Sequence, residues 1–302
     1  MNRNAFLHRF ASTGLAAVAG VLVFCCGPSA RAQSAAKPSP DELTVMTYNL
    51  KFASPKPPNA WPVRRPLMRE VIRQLGPDVF GTQEGLYPQL KDLAADLPEY
   101  DWIGTGRDGG SRGEFMAVFY RKERFEPLAF DHFWLSDTPE VIGSSTWGNS
   151  NRRMVTWVKL LDRRTQREFY FWNTHFDHQV QTARVKSARL LRERVAALNT
   201  TLPLILTGDF NAAGGTNEAY KILTAGDFFT DTWMTAKERR GEGLNSFNSF
   251  KAVGRDGIRI DWILTRGDIS ADSTEIVTFS RDGQFPSDHC PVVAKLRFGA
   301  AK

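Results

Sequence analysis

What this 302-residue chain lacks narrows it first. It has three cysteines, and two of them, Cys25 and Cys26, close an apolar run near the N-terminus. Cys290 then stands alone in the body of the chain, so an internal disulfide framework is excluded and stability has to come from a core. The run itself, Gly14 to Cys26, is 13 residues long, too short to cross about 30 Å of hydrocarbon. Its flanks match an export signal instead. Arg3 and Arg9 precede it with no acid, and Ala30-Arg31-Ala32 forms a small-x-small cleavage pattern before Gln33. The expectation is a cleaved signal peptide over 1–32, a flexible leader over 33–42, and one domain over 43–299. Such a chain is a periplasmic or secreted monomer with no stable membrane anchor. A strong charge of one sign is also missing. Cleavage would remove three arginines and no acid, taking the net charge from +6 to +3, too mild to argue for nucleic acid by itself. There is no internal repeat. The glycines of 104–113 make no dinucleotide fingerprint, because no helix follows them.

What is present is a chain 42% hydrophobic, enough for a large core. Short β-rich segments alternate with a few amphipathic ones. Strands are expected at 43–50, 78–84, 115–120, 127–135, 153–161, 167–175, 204–209, 258–265, 276–279 and 291–298. Helices are expected at 65–75, 86–97, 182–198 and 217–223, the third burying Ala188, Leu191, Val195 and Leu198. A strand-dominated pattern with interspersed helices reads as α/β or α+β in one unit.

The chain is organised around Leu204-Ile205-Leu206-Thr207-Gly208-Asp209-Phe210-Asn211. An apolar strand there ends in a carboxylate and an amide two residues apart, hard oxygen groups suited to Mg²⁺ or Mn²⁺ and to a polar reacting centre. Four other segments repeat the design. They deliver Asn49, Glu84, His175 and the pair Asp288-His289 at strand termini. Asp261 lies in an otherwise apolar strand and requires a partner, for which His289 is the natural candidate. His175 and His178 invite a zinc reading, but on a continuing strand that spacing turns the rings to opposite faces. Tyr48, Trp262 and Cys290 read as packing residues.

Six motifs in order, Met46-Thr47-Tyr48-Asn49, Gly81-Thr82-Gln83-Glu84, Asn173-Thr174-His175, Gly208-Asp209-Phe210-Asn211, Ile260-Asp261-Trp262-Ile263 and Ser287-Asp288-His289, resemble the endonuclease/exonuclease/phosphatase superfamily. The wording of the second and third resembles its bacterial exported branch. The resemblance implies a four-layer sandwich, two packed and mostly antiparallel β-sheets flanked by helices, with the site at one end. It implies a divalent-metal-dependent hydrolase of phosphate esters working by direct attack of water. Glu84 would hold Mg²⁺ or Mn²⁺, with Asn49 beside it and Asp288 completing the shell. His289 would be a general base or an electrostatic partner of the phosphate, oriented by Asp261. Asp209 and Asn211 would orient nucleophile and phosphate, and His175 would donate to a phosphoryl oxygen or the leaving group. Arg153 and Lys51 are candidate substrate contacts. Lys51 stands where the abasic-site endonucleases carry an acid. A phosphodiesterase is the leading expectation. Nuclease, phospholipid diesterase, sugar- or inositol-phosphate phosphatase and a non-catalytic phosphate-binding protein are the competing ones.

Overall fold

Alternation along the first strand shows how the body is layered. In β1 (Glu42–Asn49), Leu43 and Val45 pack to one side with Phe171 and Ile205. Met46 and Tyr48 face the other way, against Met68, Ile72 and Leu90. A strand buried on both faces belongs in the middle of a stack. The computed structural model describes residues 41–299. The signal peptide expected over 1–32 and all but the end of the leader lie outside the described residues, and β1 already takes in Glu42.

The chain continues through α1 (Trp61–Leu75), β2 (Val79–Gln83), β3 (Gly85–Leu86), α2 (Tyr87–Asp96), β4 (Tyr100–Ile103), β5 (Glu114–Phe115) and β6 (Val118–Arg121). Next come β7 (Phe125–Trp134), β8 (Met154–Asp162), β9 (Arg167–His175), α3 (Gln181–Ala197), β10 (Leu204–Asp209) and α4 (Glu218–Thr224). The last elements are β11 (Thr230–Asp231), α5 (Thr232–Thr235), β12 (Glu238–Arg240), β13 (Asp261–Arg266), β14 (Ile269–Ile276) and β15 (Val292–Phe298).

Two large sheets result, in strand order β12-β14-β15-β1-β2-β6-β4 and β11-β13-β10-β9-β8-β7, with β3 and β5 forming a separate two-stranded ladder. Most neighbours are antiparallel, but β1 with β2, β9 with β10 and β12 with β14 are parallel. The sheets face each other across a core that includes Val45, Val79, Phe171 and Ile205. Helices α1 and α2 cover the outer face of the first sheet, and α3 and α4 that of the second. This is the expected four-layer sandwich. Two glycines permit close approaches, Gly81 between the sheets and Gly208 between neighbouring strands β9 and β10 of the second sheet. A Cβ on Gly81 would come within 2.4 Å of Asn173 Oδ1 and Thr207 Oγ1 in the facing sheet. One on Gly208 would meet the Thr174 carbonyl at 2.6 Å.

Some boundaries differ from expectation. Helix α1 starts four residues early, with Pro62 in its first turn, where a missing N–H costs nothing. Strand β14 begins seven residues before the segment expected at 276–279. Its polar sequence and a bulge between Ala271 and Ser273 blur the alternation that would reveal it. Asp261 is the first residue of β13, not an interior one. Among the described residues, no helix is long and apolar enough to cross a membrane.

Candidate active site

Register brings the polar ends together. Asn49 pairs with Gln83 across the parallel β1–β2 ladder, which places Glu84 immediately beyond. Asp209 pairs with His175 on one side and with Asp261 on the other. The segment before β15 carries Asp288 and His289 to the same place, held by a 2.6 Å hydrogen bond that the Ser287 hydroxyl donates to the Asn49 carbonyl. Lys51, Glu84 and Asn211 adopt positive φ of 53°, 61° and 47°. Non-glycine residues hold that conformation only where their surroundings enforce it, and such residues cluster at working sites.

Hydrogen bonds cross the seam between the sheets at the site. Asn49 Nδ2 donates to Glu84 Oε1 at 3.1 Å and to Asp209 Oδ2 at 2.9 Å. His289 Nδ1 lies 3.0 Å from Asp261 Oδ2, and its Nε2 lies 3.7 Å from Asp209 Oδ2. Burial disfavours the His289 cation, but the Asp261 and Asp209 carboxylates outweigh it and raise the ring well above an ordinary histidine. Burial, and then the Asp261 charge, push Asp209 up against the pull of His289. His175 is the opposite case. Burial and the cations Arg153 and Arg107 hold it neutral, and its Nε2 sits 3.0 Å from Asn211 Nδ2 and 3.4 Å from Asp209 Oδ2.

The first sheet supplies the acidic wall. Lys51 Nζ lies 3.1 Å from Asp288 Oδ2 and 3.8 Å from Glu84 Oε2. An ammonium seated between two carboxylates marks a place built for positive charge. Together with the Asn49 amide, these hard oxygens fit a Mg²⁺-class cation. Asp209, Asp261 and His289 also gather ligand atoms within 4.8 Å of one another. There, however, His289 Nδ1 is already bonded to Asp261, so that group reads as a hydrogen-bonded triad.

The second sheet supplies a basic wall. Arg153, entering β8, is 3% exposed and lines the pocket. Its Nη2 lies 3.1 Å from His178 Nδ1, and Asp177 Oδ2 is 3.8 Å from Nε, yet Nε and Nη1 have no hydrogen-bond partner. Arg107 joins this wall in a bidentate pair with Glu114 at 2.7 and 3.1 Å. Strand β9 ends at His175, so His178 lines the same pocket and does not turn to an opposite face. The cavity between the two walls is open to solvent and about 370 Å³.

All ten residues singled out from the sequence meet here except Asn49 and Asp261, which sit behind the lining as partners of residues that form it. Tyr48, Trp262 and Cys290 are buried in the packing. Arg152, next to Arg153 in sequence, pairs with Asp108 and does not line the pocket. The sequence reading passed over Arg64. This fully buried guanidinium donates to the carbonyls of Leu50, Lys51, Phe52, Asn59 and Pro286, tying the turn after β1 to the segment carrying His289. Its position on the buried stripe 64, 67, 68, 71, 72 was the available signal.

The profile of the Endonuclease/Exonuclease/phosphatase family matches residues 46–289. A crystal structure from Bacteroides vulgatus described by that family name is 33% identical, covers 85% of this chain and 99% of its own, and superposes with a TM-score of 0.80. The mannosyl-6-phosphatase of Bacteroides thetaiotaomicron is 34% identical over 85% of this chain and 100% of that one, with a TM-score of 0.80. An uncharacterized protein of Acanthamoeba polyphaga mimivirus is 31% identical over 160 residues, half of this chain and 59% of the relative's length. The chain thus spans under two thirds of the length of the curated relatives it matches, whereas the family match over residues 46–289 takes in all six motifs of the site. It belongs to the endonuclease/exonuclease/phosphatase family, whose members hydrolyse phosphate esters.

Proposed function

We propose that this chain is an exported, divalent-metal-dependent phosphatase acting on the phosphate monoester of a small polyhydroxylated molecule such as a sugar. The observation that carries the reading is Arg153, a buried guanidinium with two unpartnered nitrogens in a pocket of about 370 Å³. A monoester brings a second negative charge that a diester lacks, and a guanidinium fork is the side chain that best repays it. The cavity suits a small leaving group. A neighbour 34% identical, described as a mannosyl-6-phosphatase, supports the same class. On these grounds we place the monoester ahead of the diester that sequence alone put first.

Chemistry follows from the charge states. A divalent cation held by Glu84, with Asn49 and Asp288 beside it, would neutralise the phosphoryl oxygens. His289, kept cationic by Asp261 and Asp209, donates to a phosphoryl oxygen and does not serve as the base. Asp209, its carboxylate raised by burial and by Asp261, takes the proton of the attacking water. The water oxygen bonds to phosphorus, the ester P–O bond breaks, and the departing alkoxide is protonated from solvent. His175, neutral and held between Asn211 and Asp209, keeps those two side chains aimed.

The test is kcat/KM for mannose 6-phosphate and p-nitrophenyl phosphate against bis(p-nitrophenyl) phosphate, with Mg²⁺, Mn²⁺ or chelator. A metal-dependent monoester preference of about tenfold or more is expected. A diester preference would restore the phosphodiesterase order, and activity surviving chelation would remove the metal from the account.

A further inference from the structure

Lys51 occupies the acidic wall in a way that substrate contact does not explain. Its backbone has little freedom. The N–H donates to Asn49 Oδ1 at 2.9 Å, and the carbonyl accepts from Arg64 Nη2 and Gln89 Nε2, both at 3.0 Å. With φ at 53°, that anchoring sends the side chain over the acids rather than away from them. The ammonium then sits within 3.1 Å of Asp288 and 3.8 Å of Glu84, two carboxylates that are themselves mostly buried. Two carboxylates this close repel each other and need a cation between them. The chain carries its own.

We propose that Lys51 is a built-in counter-cation of the metal site, holding Glu84 and Asp288 until a divalent ion displaces its ammonium. An ammonium and a divalent cation cannot share these two oxygens, because like charges at such distances repel strongly even at a partly exposed site. The Lys51 side chain is 30% exposed and has a place to go. The Phe52 ring, 39% exposed at the pocket, is already 5.1 Å from Nζ and offers a cation–π resting position. The lysine thus keeps the empty site folded, lowers its affinity for metal, and leaves a mobile cation beside the phosphate once metal has entered. This rests on the placement of the cation at Glu84 and Asp288 given above.

Mn²⁺ titration of the full chain, read by the electron-spin resonance of free Mn²⁺ and by calorimetry, tests it without any substrate. Lys51→Met is expected to bind Mn²⁺ about tenfold or more tightly than wild type. Lys51→Arg, which keeps the charge, is expected to stay near or below wild-type affinity. The Met variant should also melt earlier without metal and gain more on Mn²⁺ addition, since binding to the native state stabilises it. Equal or weaker Mn²⁺ binding by Lys51→Met overturns the proposal. Glu84→Gln separates the two readings. If Mn²⁺ binding survives that change intact, or if neither wild type nor Lys51→Met binds Mn²⁺, the metal placement itself fails, whatever Lys51 does.

Discussion

The two walls of the pocket treat buried charge in opposite ways. On the wall from the first sheet, Glu84 and Asp288 flank Lys51, and Asn49 bonds to Glu84, so the charges are neutralised from within the chain. On the wall from the second sheet, Arg153 is more deeply buried yet leaves Nε and Nη1 unbonded, with the Asp177 carboxylate only at 3.8 Å. A buried guanidinium that is not fully paired costs stability. On the proposed reading the first wall, neutralised by its own lysine, would exchange one cation for another, and the second would be completed by an anion.

Breaking the link between the walls should have the largest effect. Asp209 takes the Asn49 amide and faces both His175 and His289, so Asp209→Ala should lower kcat/KM by about 10³–10⁴-fold. Steady-state kinetics check this, with near-native circular dichroism showing that the fold persists. Arg64→Met should be nearly as severe but on stability. It removes one donor from five carbonyls, of which those of Leu50 and Pro286 are bonded in buried positions, and a loss of about 3–5 kcal/mol in urea unfolding is expected.

The basic wall is sharpened by Arg153→Met. Monoester kcat/KM should fall about 100-fold and the diester rate by less, with Arg153→Lys restoring only part, because an ammonium lacks the fork. A uniform loss on both substrates would place Arg153 in structure rather than recognition. The smallest effect is in pH. His289 is raised from 6.5 to about 10 in the folded chain, so it binds its proton more tightly there than when unfolded. Its stabilising contribution is complete below about pH 6.5 and is lost as pH rises through about 10. Comparing wild type with His289→Gln by urea unfolding from pH 6 to 10 should show the wild-type advantage shrinking.

Much of this was legible in the sequence because the site is made by strand ends. Apolar runs closing in Asn49, Glu84, His175 and Asp209 announce themselves through composition, and parallel register then brings the ends together. The strand-dominated pattern alone gave an α/β or α+β unit, and the sandwich came from the family resemblance that the six motifs carry. What stayed hidden depends on conformation that spacing does not carry. His178 joins His175 in one pocket because β9 stops at His175, and the side-chain period of a strand no longer applies beyond it. Lys51 turns toward the acids because Arg64 pins its carbonyl in a left-handed bend. Arg64 itself was masked by its type, since an arginine on a helix is ordinarily a solvated residue.

Anomalous diffraction from crystals soaked with Mn²⁺ and tungstate addresses the two-wall account most directly. It predicts a manganese peak bridging Glu84 and Asp288, with the Lys51 ammonium withdrawn, and a tungsten peak within hydrogen-bonding reach of Arg153. Manganese seated instead on Asp209, Asp261 and His289, or tungstate bound away from Arg153, would contradict it.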